Sequence, residues 1–237
     1  MKFLIQTING QVKHDFSFTL IESLDYYNWY YNNTDIMYIL SDGIDADIND
    51  WERNDVIPIG SVEFVNDYLK KYYNKEMKPI NIPYALMGER YTKRDVIYLN
   101  SEEDLSHLGK RFVKSHDKIK GLTDILDLTK NKLPIGNYMI SEVIDIHSEW
   151  RAFVYKDKLV GLNNYSGDFT IFPDVELIEE MIKKNHTTPV AYTLDVGIND
   201  KGTFIIEVHA FMSCGLYGFA DLKNIPFMYR DVFKKLI

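Results

Sequence analysis

Cysteine is almost missing from this 237-residue sequence: Cys214 is the single one, so no disulfide can form within the chain. Nothing in the cysteine content therefore points to an oxidising compartment, and a small buried residue is the ordinary interpretation of Cys214. No apolar run approaches the roughly 20 residues that a membrane-spanning helix needs. The start, MKFLIQTING, also lacks the apolar stretch of a signal peptide. We therefore expect a soluble, cytoplasmic protein.

Basic residues are in the minority, because 27 Lys and Arg face 35 Asp and Glu and give a net charge of −8. This charge argues against nucleic-acid binding through a broad basic surface, although a local basic cleft could still hold a polyphosphate. The segment YYNWYY, residues 26–31, could stack on bases. In an acidic chain, a helix end packed on a sheet is the favoured interpretation.

The first hundred residues alternate between strand and helix patterns. KFLIQT and DIMYIL predict strands on either side of a helix over residues 17–32, which indicates a βαβ unit with a parallel sheet. The stretch IPIGSVEFVNDYLKKYY predicts a strand, a glycine turn and a helix capped by Ser61. The polar stretch NKEMKPINIP, residues 74–83, contains two prolines and is interpreted as a linker.

From about Arg111 onward the pattern changes to strands and hairpins. KRFVKS and YMISEVIDI predict strands, and residues 149–165 predict a hairpin that turns near Lys156 to Lys158. A helix capped by Asp174, the hairpin VAYTLDVGINDKGTFIIEVHAF and a helix beginning at Pro226 follow. The sequence thus predicts an α/β front domain, residues 1–95, followed by an α+β region, residues 96–237.

Acidic residues occupy one face of the last predicted hairpin. Glu207 and His209 are two positions apart on a strand and share a face, and a turn centred near Lys201 places Asp195 opposite Glu207. Opposed residues lie roughly 4.5 to 5.5 Å apart at Cβ, where like charges are destabilising unless a cation balances them. Hard oxygen ligands favour Mg²⁺ shared with phosphates. Pairing with a Lys or Arg elsewhere is the alternative.

Two further segments offer groups that suit a magnesium nucleotide. Glu149 and Arg151 alternate on a strand face, and Arg presents a fork of donors that matches phosphate oxygens. Lys114 ends the strand KRFVKS, with Lys118 and Lys120 in the loop behind it. Taken singly, a Glu-x-Arg pair is most often a surface ion pair and loop lysines are usually solvated.

The order of these elements resembles the ATP-grasp fold. FVKS with Lys120, EWRAF and EVHAFMSCGLYGF are similar to the R2K group of ATP-grasp proteins, often found in phages and bacteria. The similarity is good from about Arg111 to Phe219 and weaker over the first hundred residues. It implies two α+β subdomains that clamp ATP, with residues 96–140 as the small lysine-bearing part and residues 141–237 as the metal-binding part.

The resemblance also implies roles for individual residues. Phosphate contacts would come from Lys114, from Lys120 with Lys118 as a possible substitute, and from Arg151. Ser141, Glu142, Val143 and Ile144 match the hinge that reads adenine, and Glu149 matches the carboxylate that holds the ribose. Asp195 and Glu207 match the acids that bind two Mg²⁺ ions. His209 departs from the commonest pattern, which has Asn there, and is taken as a variant of the site.

By resemblance, the activity is an ATP-dependent ligation of a carboxylate to an amine through an acylphosphate. The expected partners are ATP and this substrate pair, which could include a peptide or protein, in a host cytoplasm if the gene is carried by a phage. Two alternatives stay open. A kinase would use the same nucleotide residues but stop after phosphorylation, and a non-catalytic module would bind a nucleotide or a partner without turnover.

Overall fold

The computed structural model describes residues 1–32, 36–48, 51–186 and 189–237, with Asn54 described by its backbone only. The strands are β1 (Lys2–Gln6), β2 (Met37–Ser41), β3 (Val56–Ile59), β4 (Val96–Asn100), β5 (Lys110–Ser115), β6 (Thr123–Asp127), β7 (Asn137–Ser141), β8 (Ser148–Tyr155), β9 (Lys158–Gly167), β10 (Ala191–Asn199) and β11 (Gly202–Ala210). The helices are α1 (Asp15–Tyr31), α2 (Val62–Tyr73), α3 (Glu89–Thr92), α4 (Val175–Lys184) and α5 (Ile225–Leu236). Asp35, the first residue of the expected strand DIMYIL, lies outside the described residues.

The front of the molecule is a parallel sheet in the order β2-β1-β3, which confirms the predicted βαβ start. Ser61 caps α2 by accepting a hydrogen bond from the Phe64 amide at 3.2 Å. The aromatic end of α1 is only partly packed: Tyr27 contacts Phe227 of α5, with 5.4 Å between ring centroids, while Trp29 is 78% exposed. YYNWYY therefore forms a helix end, as expected, but Tyr27 packs on helix α5 and Trp29 is left mostly exposed.

The rest of the described chain contains two antiparallel sheets, in the orders β4-β7-β5-β6 and β11-β10-β8-β9. The sequence did not indicate β4 or β6. The expected strand YMISEVIDI is wrong beyond Ser141, where β7 ends. Ser141 pairs with Val96, the first residue of β4, and with Phe112, the first residue of β5 that pairs with β7. Beyond it, the Glu142 amide donates one more hydrogen bond, to the Asp95 carbonyl at 3.1 Å.

The expected linker, residues 74–83, has no helix or strand, but its second half is buried in the molecule. The Val208 amide of β11 donates to the Asn81 carbonyl at 2.8 Å, and the Asn81 amide group donates to the Ser115 carbonyl at 3.2 Å. Ile82 exchanges two hydrogen bonds with the Tyr98 hydroxyl of β4. This segment therefore contacts both antiparallel sheets.

The hydrophobic core at the front is shared with the end of the chain. Phe3 of β1 and Leu69 of α2 are fully buried in one cluster with Tyr229 and Phe233 of α5. A second cluster fills the space between α4, β8, β10 and β11, and a small third one lies under β5 and β7. No helix among the described residues is long and apolar enough to span a membrane.

Candidate active site

The β10–β11 hairpin places Asp195 opposite Glu207, as the sequence predicts. The turn is the two residues Asp200 and Lys201, because Asn199 pairs with Gly202. A regular ladder from that turn would place Ile206 opposite Asp195. A β-bulge adds Ile206 as an extra residue and moves Glu207 into the opposed position.

Arg151 of β8 holds the Asp195 carboxylate in a buried, two-pronged ion pair. Its Nε and Nη2 atoms each lie 2.7 Å from a carboxylate oxygen, and the two side chains are only 9% and 3% exposed. Arg151 Nη1 donates to the Gly215 carbonyl at 2.9 Å. Although burial disfavours the charge, the Asp195 carboxylate raises the pKa of Arg151 above its usual value.

Lys114 of β5 reaches across to the opposite sheet and forms an ion pair with Glu207 of β11. Burial lowers the pKa of Lys114 to about 8, and the Asp195 carboxylate acts against that shift. The Nε2 atom of His209 lies 2.9 Å from the other carboxylate oxygen of Glu207. Burial lowers the pKa of His209 to about 4, so its imidazole is neutral at pH 7.

The donor set on this face fits a divalent cation. One ligand atom each from Asp195, Glu207 and His209 lies within 4.8 Å of the others. The two carboxylates provide the oxygen ligands that Mg²⁺ prefers, and a neutral imidazole has the lone pair that metal ligation needs. In the described structure Lys114 neutralises Glu207, and Arg151 neutralises Asp195. A bound cation would take over part of this charge neutralisation from the two side chains.

A cavity of about 370 Å³ opens beside these groups. Its wall includes Lys114, Arg151 and His209, together with Lys118 and Lys120 from the β5–β6 loop. No Asp or Glu is among the described residues that line it. The protein as a whole carries a charge of −8, and this cavity is nevertheless a basic surface suited to an anion.

The β5–β6 loop brings two lysines to the cavity, and only one of them is in an ion pair with a described residue. Gly121 lies so close to Ser115 that an added Cβ would be 2.6 Å from the Ser115 Cβ, so the loop can close only with glycine there. Lys120 forms an ion pair with Glu63 of α2, with 2.9 Å between Nζ and Oε1. Lys118 forms no ion pair with any residue in the described part of the chain.

The structure does not bring the expected nucleoside-binding residues into this cavity. The Glu142 carboxylate accepts a hydrogen bond from the Asp95 amide at 3.1 Å, and Val143 and Ile144 line a separate open depression of about 430 Å³. Glu149 accepts a hydrogen bond from the Tyr165 hydroxyl at 2.7 Å. The Tyr165 hydroxyl thus connects Glu149 to a ring that lies beside Arg151.

Sequence analysis missed the aromatic rings beside Arg151. Tyr165 and Tyr217 lie with their ring centroids 5.5 and 5.1 Å from its guanidinium carbon, a cation–π arrangement. Asp15, the first residue of α1, accepts hydrogen bonds from the Leu216 and Tyr217 amides at 2.6 and 3.2 Å. The motif GLYG indicates a turn near Tyr217, but no local pattern connects it to Asp15.

The two facing antiparallel sheets define an ATP-grasp fold, a class shared with several solved structures. The D-cycloserine synthetase DcsG superposes with a TM-score of 0.55 at 9% identity over 100% of both chains. The RimK domain protein ATP-grasp from Sphaerobacter thermophilus gives 0.53 at 10% identity over 100% of this chain and 99% of that one. The D-alanine–D-alanine ligase from Bacillus anthracis gives 0.52 at 15% identity over 99% and 97%.

The sequence identifies the family within this class. Residues 91–225 match the ATP-grasp domain, R2K clade family 2, and the chain belongs to that family. The search of curated proteins gave no match. The fold and the family predicted from FVKS, EWRAF and EVHAFMSCGLYGF are confirmed.

Proposed function

We propose that this protein is an ATP-dependent ligase that joins a carboxylate to an amine through an acylphosphate. The observation that carries the proposal is the meeting of Lys114 from one sheet with Glu207 and His209 from the other, beside the buried Arg151–Asp195 pair. These groups lie inside an ATP-grasp domain. The names of its solved structural neighbours, a ligase and a synthetase, agree with a bond-forming reaction.

The proposed reaction has two steps, and neither of them needs a nucleophile from the protein. A carboxylate oxygen of the substrate attacks the γ-phosphorus of ATP and expels ADP. The amine then attacks the acyl carbon and expels phosphate, and its proton passes to solvent or phosphate. Negative charge develops on phosphate oxygens in the first step, so cationic groups held in place lower the barrier most effectively.

Each site residue has a proposed part in this reaction. Mg²⁺, in one or two ions, would supply further charge neutralisation at the phosphates when bound by Asp195, Glu207 and His209. The remaining roles are phosphate contact by Lys114, Arg151 and Lys120, for which Lys118 could substitute, adenine contact by Glu142, Val143 and Ile144, and ribose contact by Glu149. Lys120 must leave Glu63 to reach a phosphate. In this proposal residues 1–95 form the front domain and residues 96–237 the ATP-grasp region.

A thermal-shift titration tests the nucleotide half of the proposal. A ligand that binds only the native state raises the free energy of unfolding by about 2.7 kcal/mol at 100 times its Kd. We expect ATP with Mg²⁺ to raise the melting temperature more than either alone. No shift with millimolar ATP and Mg²⁺ would remove the basis of the proposal.

Product analysis tests the ligase half. Incubation with ATP, Mg²⁺ and a mixture of carboxylates should release ADP, and hydroxylamine should trap the acylphosphate as a hydroxamate detectable by mass spectrometry. Adding amines instead should give amides. A stable phosphorylated product without a hydroxamate or an amide would identify a kinase and contradict the ligase proposal.

A further inference from the structure

The cavity beside Lys114 extends well beyond the groups that the nucleotide proposal uses. Its other half is built from five aliphatic or thioether side chains that come from α2, the 74–83 segment, the β5–β6 loop and α5. They are Val62, Met77, Ile80, Ile119 and Leu236. This half is therefore shared between the front of the molecule and the ATP-grasp region.

These apolar side chains keep part of their surface directed at the cavity. Val62, Ile119 and Leu236 are half-buried and pack against the front core on one side, while Ile80 packs against the second core. Covering apolar surface stabilises a complex by about 25 cal/mol per Å². An apolar group of a ligand would gain this stabilisation, whereas a polar group would lose hydrogen bonds to water.

Lysine side chains at the border of the apolar half favour a ligand with a negatively charged group. Lys78 and Lys118 both line the cavity, and no carboxylate does so among the described residues. Lys118 has no ion-pair partner there, so its charge is available to a ligand. A carboxylate beside Lys118 would lie in the same cavity as Lys114 and Arg151, where the proposed phosphate transfer occurs.

The apolar surface continues outside the cavity. A second depression, of about 500 Å³, adjoins it and shares Lys78, Ile80, Ala210 and Leu236 with its wall. Beyond these residues the depression is lined by Pro189, Val190 and Val232 and ends at Glu76 and Lys235. The available apolar path is thus longer than one small side chain requires.

We infer that the carboxylate substrate carries a branched or extended apolar group, which lies over Ile80 and Leu236 while its carboxylate lies on the Lys118 side of the cavity. This inference rests on the proposed ligase function and names the substrate class of that site. A small polar acid would leave the apolar half in contact with water and gain nothing from the adjoining depression.

A matched pair of probes tests the inference. N-acetyl-leucine and N-acetyl-asparagine have similar shapes but differ in polarity, and the hydroxamate assay gives kcat/KM for each with saturating ATP and Mg²⁺. We expect at least a tenfold preference for N-acetyl-leucine. Ile80→Asn should reduce that preference severalfold, while the control Ile135→Asn should leave it unchanged because Ile135 is 90% exposed and lines none of these walls. Equal kcat/KM values for both probes would overturn the inference.

Methionine methyl NMR gives a readout that does not depend on turnover. Met77 and Met212 both line the cavity, whereas Met37 lies on β2 in the front sheet. With methyl-labelled methionine and a non-hydrolysable ATP analogue present, N-acetyl-leucine should shift the Met77 and Met212 signals and leave Met37 unmoved. If neither N-acetyl-leucine nor N-acetyl-asparagine shifts these signals in a protein that still binds Mg²⁺ and ATP, this inference alone is refuted. Loss of nucleotide binding itself would refute the proposed function, and this inference with it.

Discussion

Arg151 and Lys114 each face a carboxylate, but they respond differently to the loss of that partner. A guanidinium stays charged in any protein environment, so Arg151 without Asp195 would be a buried, uncompensated charge. Lys114 has a pKa of about 8 and can release its proton at little cost near neutral pH. The two carboxylates therefore differ in their importance for stability even though both are proposed to bind the metal.

We predict that Asp195→Asn lowers the free energy of unfolding by about 3 kcal/mol, the usual range for a broken buried ion pair. Glu207→Gln should cost about 1 kcal/mol, because Lys114 can become neutral and the amide can still accept a hydrogen bond. Urea denaturation of both variants at pH 7.5 measures the difference. Equal losses of unfolding free energy would show that the Arg151–Asp195 pair contributes no more to stability than the Lys114–Glu207 pair.

Cys214 gives a second prediction at this scale. Burial raises the pKa of its thiol to about 12, so about one molecule in 10,000 carries a thiolate at pH 8. Ellman's reagent should react at least a hundredfold more slowly with the native protein than with the chain in urea. Because the folded thiol holds its proton to higher pH than the unfolded one, the free energy of unfolding should fall as pH rises from about 9 to 12. Fast labelling of the folded protein at pH 8 would contradict the burial.

At the scale of elements, the βαβ start and two hairpins could be predicted, whereas the pairings of β4 and β6 could not. The Lys156 to Lys158 turn and the pairing of Asp195 with Glu207 follow from patterns within a few residues of each other. The strand β4 pairs with β7, which lies far along the chain. The strand β6 pairs with its neighbour β5, but its sequence TDILD has two adjacent apolar residues and so lacks the alternation that indicates a strand. The true turn, Asp200 and Lys201, would alone make Ile206 the partner of Asp195, and the bulge at Ile206 shifts that partner by one residue to Glu207. The centre assumed at Lys201 therefore gave the correct partner.

The site shows the same division. Strand periodicity places Glu207 and His209 on one face, and the assumed turn added Asp195, which lies opposite Glu207 because of the bulge at Ile206. The rings of Tyr165 and Tyr217 meet Arg151 only after β9 and the 212–219 loop have folded against β8. Asp15 is about two hundred residues away from the amides that it binds. Contacts of this kind leave no local pattern in a single sequence.

The start of α1 gives the prediction for this scale. Asp15→Ala removes the acceptor for the Leu216 and Tyr217 amides, so the loop that holds Arg151 should loosen. We expect a loss of about 1 to 3 kcal/mol in the free energy of unfolding and a roughly fivefold rise in the Kd for ATP, equivalent to about 1 kcal/mol. Urea denaturation measures the free energy of unfolding and calorimetric titration measures the Kd, each beside the exposed control Glu22→Ala. Unchanged ATP affinity would mean that the loop does not depend on Asp15.

At the scale of the whole molecule, the Glu63–Lys120 ion pair connects helix α2 to the β5–β6 loop beside the cavity. Both side chains are well exposed, so the pair itself contributes little stability. The pair matters because it occupies the lysine that the proposed mechanism assigns to phosphate. A nucleotide must compete with Glu63 for Lys120.

We therefore predict that Glu63→Gln tightens ATP binding. The gain should be at most about fivefold, which corresponds to the 0 to 1 kcal/mol of an exposed ion pair, with the free energy of unfolding unchanged within about 0.5 kcal/mol. A titration of each variant with a fluorescent ATP analogue, with Glu22→Gln as the control, measures the change. Weaker binding by Glu63→Gln would show that Glu63 supports the nucleotide instead of competing with it.

The segment between the front sheet and the two antiparallel sheets determines whether the protein separates into fragments after cleavage by a protease. Residues 74–83 are bonded to β11 through Val208, to the end of β5 through Ser115 and to β4 through Tyr98. A protease that cut one peptide bond at the exposed Lys75 would leave all these bonds in place. The two fragments would then remain associated through the core that α5 shares with β1 and α2, and they would elute together from a sizing column until a denaturant was added.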